Sequence, residues 1–158
     1  MFRQTIRTLT RVNRLAGVRT YAEAANPDIL KLSMSAPHQA FFTNKEVTQV
    51  NLPAASGEMG VLAQHVPVVE QLKPGVVEVI ESSGSTKYFI SGGFASILPD
   101  SKLNITTVEA YTLDSFSPET VKSLLAEAQK NVSSADETIA AEAAIEIEVL
   151  EALQAAGI

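Results

Sequence analysis

The stretch Lys102–Ala128, KLNITTVEAYTLDSFSPETVKSLLAEA, changes its hydrophobic period in mid-course. In its first part Leu103, Ile105 and Thr107 alternate with Lys102, Asn104 and Thr106. A period of two sets one side of a strand against a core and the other towards water. From Ser117 the period becomes helical, with Val121, Leu124, Leu125 and Ala128 on one stripe. Ser117 followed by Pro118 suits an N-cap and a first helical residue. A β-rich body therefore gives way to helices here.

The strand signal extends back along the chain. Leu30, Leu32 and Met34 alternate with Ile29, Lys31 and Ser33, and the runs Val47–Leu52, Val76–Ile80 and Lys87–Ile90 are rich in β-branched or aromatic residues. Turn signals at Pro53–Gly57, Lys73–Gly75, Ser82–Ser85, Gly92-Gly93 and Pro99-Asp100 separate them. Short strands at this spacing predict a sandwich or barrel. A parallel sheet is not expected, because no helical crossover fits between the runs.

Beyond the first helix, Asn131–Ser133 read as a break and Ser134-Ala135-Asp136-Glu137 as a capping box. Ile139, Ala143, Ile147, Leu150 and Leu153 carry an apolar stripe to the end, and eight alanines between Ala135 and Ala156 allow close helix approach. A short break between two such helices predicts an antiparallel hairpin. Helices of this length are marginal alone in water, so the hairpin needs a surface to lie against.

Charge is distributed unevenly. All five arginines (Arg3, Arg7, Arg11, Arg14, Arg19) precede residue 20, whereas all 18 acidic residues lie at or after Glu23. Wound as a helix, the start gathers Phe2, Ile6, Leu9 and Val12, which is the composition of a mitochondrial transit peptide over residues 1–21, with Arg19-Thr20-Tyr21 before Ala22 as a processing site. A basic membrane-surface helix or a nucleic-acid arm is the other reading of such a segment. From Ala22 onward seven lysines face 18 acids, giving 7 − 18 = −11. A chain so acidic, without arginine, is a poor ligand for nucleic acid or anionic lipid and suits basic partners. The longest run without Asp, Glu, Lys or Arg, Leu32–Asn44, has thirteen residues, short of the roughly twenty that a membrane helix needs, so direct membrane insertion is not expected.

Signals for catalysis are weak. The absence of cysteine removes disulfides, thiolate metal sites and a cysteine nucleophile. The two histidines, His38 and His65, lack metal-ligand spacing, and no nucleophile elbow, Walker or dinucleotide pattern occurs. Pairs such as Glu78/Glu81 and Glu146/Glu148 read as solvated carboxylates. A Ser–His–Asp triad built from distant residues around His38 or His65, in a matrix hydrolase, is the remaining catalytic reading, and no cofactor is expected.

Two glycine-bearing segments carry more information. One runs Ser56-Gly57-Glu58-Met59-Gly60-Val61-Leu62-Ala63-Gln64-His65-Val66-Pro67 and continues to Leu72-Lys73-Pro74-Gly75; the other is Tyr88-Phe89-Ile90-Ser91-Gly92-Gly93-Phe94-Ala95-Ser96-Ile97. Each alone reads as tight turns and close strand crossings. In this order, with the basic leader and the terminal helical pair, residues 27–158 resemble the mitochondrial delta-subunit family of F-type ATP synthase, counterparts of bacterial and chloroplast epsilon subunits.

The resemblance implies a ten-stranded β-sandwich (22–113) and a two-helix hairpin (114–158). It implies a non-catalytic central-stalk part on the matrix side of the inner membrane, fastening the gamma subunit to the ring of c subunits. By matching position, Glu58 faces the polar loops of the ring, and Ser35, His65 and Glu70 lie towards gamma. His65 reads equally as a turn-stabilising hydrogen-bond residue, and Glu58 as an exposed turn carboxylate. The sequence departs from bacterial relatives that bind ATP through an essential arginine or inhibit through a basic second helix. No arginine follows Arg19, and residues 134–158 hold six acids and no lysine. Neither ATP sensing nor extended-helix inhibition is therefore expected. Asp136, Glu142, Glu146 and Glu148 are expected to meet a small basic companion, the epsilon subunit of mitochondrial enzymes, or else to form a solvated face. A free-standing matrix β-sandwich binding module is the alternative function.

Overall fold

The computed structural model describes residues 28–158; the expected leader, residues 1–21, lies outside them. Ten strands come first: β1 Leu30–Ala36, β2 Gln39–Val47, β3 Gln49–Ala54, β4 Gly57–Val61, β5 Val68–Leu72, β6 Gly75–Glu81, β7 Gly84–Ile90, β8 Gly93–Leu98, β9 Lys102–Thr107 and β10 Ala110–Thr112. A 3₁₀ turn, Leu113–Ser115, leads to helices α1, Pro118–Asn131, and α2, Glu137–Ala155.

The strands form one curled sheet in the order β10-β7-β6-β3-β5-β8-β9-β1-β2, with β4 on β3. The groups β10-β7-β6-β3-β4 and β5-β8-β9-β1-β2 are joined through a single register pair, Ala54↔Leu72. At the far edge the sheet closes on itself. Phe41 and Phe42 of β2 meet Tyr88 of β7 edge-to-face, with centroids 5.7 Å apart in both cases. Between the layers lie Leu30, Leu32, Met34, Val50, Leu52, Val61, Val77, Val79, Ile90, Leu103 and Ile105, all essentially without solvent access. Each side chain of this size is worth ~1.5–3 kcal/mol in burial, which gives the sandwich its own core. The alternation read at Leu30/Leu32/Met34 and Leu103/Ile105/Thr107 is the inward set of β1 and β9.

The structure corrects several local expectations. Val47–Leu52 is not one strand: Val47 ends β2 opposite Leu30, and Gln49 starts β3 opposite Ile80. Thr48 N–H donates to the Ile80 carbonyl at 2.9 Å, so the chain crosses between layers at that residue. Both halves are apolar because both line the same core. The turn expected at Pro53–Gly57 narrows to Ala55-Ser56, with Pro53 and Ala54 buried inside β3. The sheet is antiparallel except for β1 against β9, which pair in parallel from Lys31↔Lys102 to Ser35↔Thr106. Their crossover is the rest of the sandwich, so no helix is needed.

The helices double back on each other as expected, with Val121, Leu125 and Ala128 of α1 and Ala143, Leu150 and Leu153 of α2 buried. Leu124 and Ile139, read as stripe residues, are exposed. The capping box does not form. Asp136 is the N-cap of α2, its Oδ1 accepting the Thr138 N–H at 2.9 Å, and Ser134 Oγ accepts the Asp136 N–H. Aspartate at that position caps the amides itself and leaves the serine one step outside. Ser117 is the N-cap of α1, but its hydroxyl makes no capping bond. The hairpin rests on the outer face of the β6–β7 pair, where Phe89 joins Val121, Leu125, Ala128, Leu150 and Leu153 in a second cluster flanked by Val76, Leu113 and Phe116. That supplies the surface the helices need.

Candidate interaction surfaces

The layer turned away from the helices presents an unusual outer face. On β5, Leu72 points inward, so Val69 and Gln71 point outward; on β8, Ala95 and Ile97 are buried and Phe94, Ser96 and Leu98 point outward. Register places Val69 opposite Ser96, between Phe94 and Leu98 on the neighbouring strand. Diagonal neighbours in antiparallel strands lie ~7–8 Å apart, within reach of side chains of this size. Val69 is 68% and Phe94 56% exposed, so three adjacent apolar residues face outward. Next to them the face turns polar: Thr106 stands opposite Phe94, and Ser35 opposite Thr106. Ser35 thus belongs to the row Gln71–Phe94–Thr106–Ser35.

His65 lies in the loop after β4, close to one end of this face. Its Nδ1 lies 2.9 Å from the Val66 carbonyl and its backbone N–H reaches the Leu62 carbonyl at 3.3 Å, the turn-stabilising bonds read as one alternative from the sequence. The same loop exposes Leu62 and Val66, the latter at 70%. Glu58 lies at the other end of β4, beside the Ala55-Ser56 turn. Five residues at ~3.4 Å each separate the two ends of that strand. Glu70 has the parity of Leu72 rather than of Val69, and Ser56 Oγ donates to its carboxylate at 3.4 Å. The structure therefore sets Glu70 beside the Ala55-Ser56 turn, off the outward row that holds Ser35.

The second surface is a cleft of about 1000 Å³ between the outer side of β3, β4 and β6 and the last turns of α2. Its charged lining comprises Glu58, Lys73, Glu78, Lys87, Glu148 and Glu151, a balance of 2 − 4 = −2. On the floor, Gln49 donates to Asn51 at 2.6 Å, and Asn51 to Glu78 at 2.9 Å. Lys87 lies 3.6 Å from the same carboxylate, a solvent-accessible pair that contributes little to stability. The four acids anticipated for one basic partner do not share a patch. Glu146 and Glu148 are separated by ~200° around the helix. Glu148 faces the cleft, Glu142 and Glu146 are exposed elsewhere, and Asp136 is engaged at the N-cap.

Sequence reading missed the apolar face. The available signal was the adjacency of Val68 with Val69 and of Ile97 with Leu98, because neighbouring strand residues cannot both point inward. Among the described residues no group of histidines and carboxylates is arranged for a metal. No helix among them is long and apolar enough to cross a membrane.

Residues 29–112 match the family "ATP synthase, Delta/Epsilon chain, beta-sandwich domain", and residues 116–155 match "Fungal epsilon subunit of F1F0-ATP synthase C-terminal domain". The mitochondrial ATP synthase subunit delta of Pichia angusta is 76% identical over 158 residues, covering 99% of each chain. A chain of the cryo-EM structure of Euglena gracilis mitochondrial ATP synthase (OSCP/F1/c-ring) superposes with a TM-score of 0.80 at 31% identity, covering 98% of this chain and 100% of that one. A chain of the central stalk/c-ring of Tetrahymena thermophila mitochondrial ATP synthase shares the fold, with a TM-score of 0.61 at 11% identity over 82% and 96% of the two chains.

Proposed function

The chain belongs to the family of mitochondrial ATP synthase delta subunits, non-catalytic components of the central stalk, and from that membership we propose how its surfaces are used. Membership displaces the free-standing binding module as a reading of the function. The subunit acts by holding other parts together: torque passes through it only as firmly as its surfaces grip their partners.

The gamma subunit takes the outer face of the β5-β8-β9-β1 layer. The observation that carries this assignment is the exposed run Val69–Phe94–Leu98, continued by Thr106 and Ser35 and flanked by His65. An apolar centre with a polar margin is the ordinary composition of a stable protein interface. The Ala55-Ser56 turn, with Glu58 and Glu70, is assigned to the polar loops of the c-ring. The small basic epsilon subunit is assigned to the acidic hairpin, by way of Glu148 in the cleft and Glu142 and Glu146 outside it. Residues 1–21 are assigned as a leader removed on import, leaving a sandwich (22–113) and a hairpin (114–158) on the matrix side of the inner membrane. An acidic second helix, without an arginine after Arg19, leaves no basis for ATP sensing or extended-helix inhibition.

The test is a tag placed behind a flexible linker, because Ile158 itself packs against the hairpin cluster. Mitochondria solubilised in mild detergent are run on a native gel stained for ATPase activity. Phe94→Ser in the tagged chain is expected to leave the ATPase band and appear as a small free species. Retention of this variant at wild-type level would exclude the apolar face as the gamma contact.

A further inference from the structure

The loop that bears His65 is held by an unusual piece of backbone in the adjoining turn between β8 and β9. Asp100 and Ser101, between β8 and β9, both have left-handed φ, +64° and +56°, and so does Gln64, at +61°. Non-glycine residues adopt this region rarely, so something must over-determine it. Ser101 is only 4% exposed. Its Oγ accepts the Gln64 N–H at 2.8 Å, and its carbonyl accepts the Lys31 N–H at 2.8 Å. Gln64 is tied a second time, with Nε2 donating to Asp28 Oδ1 at 2.6 Å. The β8–β9 turn, the start of β1 and the 62–67 loop thus meet at one serine.

What these bonds fix is the part of the loop that faces outward. Leu62 and Val66, two residues to either side of Gln64, are 50% and 70% exposed. Leu98, three residues before Ser101, ends the apolar run on β8. We propose that Ser101 is a positioning residue: its hydroxyl sets the 62–67 loop so that Leu62 and Val66 extend the Val69–Phe94–Leu98 surface into one continuous contact area. This rests on the assignment of that face to the gamma subunit. A loop held in its bound form loses less entropy on association, so removing the restraint weakens the complex although no contact residue has changed.

Ser101→Gly is the informative substitution, because glycine accepts the left-handed backbone while the CH2OH group, and with it the hydroxyl, is lost. In the assembled enzyme this variant is expected to dissociate about tenfold faster under a detergent and salt challenge, the loss of roughly one neutral hydrogen bond's worth of preorganisation. The free mature chain is expected to melt as wild type does while the Gln64 amide exchanges faster. Ser101→Asn, which tolerates the same backbone and carries an acceptor oxygen, is expected to restore retention. Should the glycine variant not fold, Ser101→Ala against Ser101→Asn makes the same comparison. Wild-type retention of Ser101→Gly, beside loss of Phe94→Ser, would overturn the positioning role and leave the gamma assignment standing. Wild-type retention of both would remove the assignment and the inference together. A melting temperature that falls in step with retention, with no rescue by asparagine, would show Ser101 to be merely structural.

Discussion

Phe89 of β7 and Phe116, just before α1, meet edge-to-face with ring centroids 5.5 Å apart and planes at 77°. Phe116 meets Tyr111 of β10 in the same manner, at 6.1 Å and 90°. This is the joint between sandwich and hairpin. Phe89 is the buried member of the pair and looks outward from the sheet, away from the core shared by Val77, Val79 and Ile90.

Replacing Phe116 by alanine is expected to loosen the hairpin without unfolding the sandwich. Removing a half-buried ring costs ~1–3 kcal/mol, and the loss falls on an element that needs its docking surface. Hydrogen exchange checks this: amides of α1 and α2 should lose protection while those of β6 and β9 keep theirs. Equal loss across the chain would mean that the two parts unfold as one unit.

Gly93→Ala is expected to be strongly destabilising, by ~2–4 kcal/mol. Gly93 has φ +151°, and an added Cβ would overlap the Thr106 carbonyl oxygen of the neighbouring strand. The adjoining Thr107 Oγ1 hydroxyl spans the Gly92 carbonyl at 2.7 Å and the Glu109 carbonyl at 2.8 Å, so the corner has little room to adjust. A lower urea midpoint with an unchanged m-value would identify the change as one of stability.

The outer-face phenylalanine should behave in the opposite way. Phe94→Ser in the free chain is expected to shift stability by less than ~1 kcal/mol, because the ring is already more than half exposed. Phe89→Ser, in the buried cluster, is expected to cost ~3–5 kcal/mol. Thermal melts of the two variants side by side separate a surface kept for a partner from one kept for folding.

Charge reversal distinguishes the two acid sets of α2. Glu148→Lys with Glu151→Lys changes the cleft, whereas Glu142→Lys with Glu146→Lys changes the exposed side. If a basic partner occupies the cleft, the first pair is expected to weaken its retention and flatten the salt dependence of assembly. Unaltered assembly with both pairs would mean that these carboxylates are solvated only.

Mass spectrometry of the N-terminus in isolated mitochondria checks the leader. The expected mature chain begins at or near Ala22 and has lost all five arginines. A chain that retains Arg14 or Arg19 would have the basic arm as part of the working protein.

Much of the fold was legible because its signals are local. Leu30, Leu32 and Met34 declare a one-sided strand through their spacing alone, and Val121, Leu125 and Ala128 declare a helix face. Where two local codes competed, the reading slipped. Ser134 and Asp136 can both cap α2, and only helix geometry selects Asp136. Val47–Leu52 reads as one strand because a bend between two layers leaves every apolar residue apolar.

By itself, then, the sequence determined a basic leader-like start, an acidic remainder, a change from strands to helices at Ser117, and an ordered set of glycine turns that resembles a family. Periodicity, composition and turn chemistry act within a few residues, so one chain suffices to reveal them. Tertiary structure alone decided that β1 pairs in parallel with β9, that Glu70 sits by Ser56 and off the row of Ser35, that Glu148 lines a cleft against the sheet, and that Ser101 holds Gln64. Each of these depends on which distant segments lie side by side, and that is set by how the whole apolar core closes.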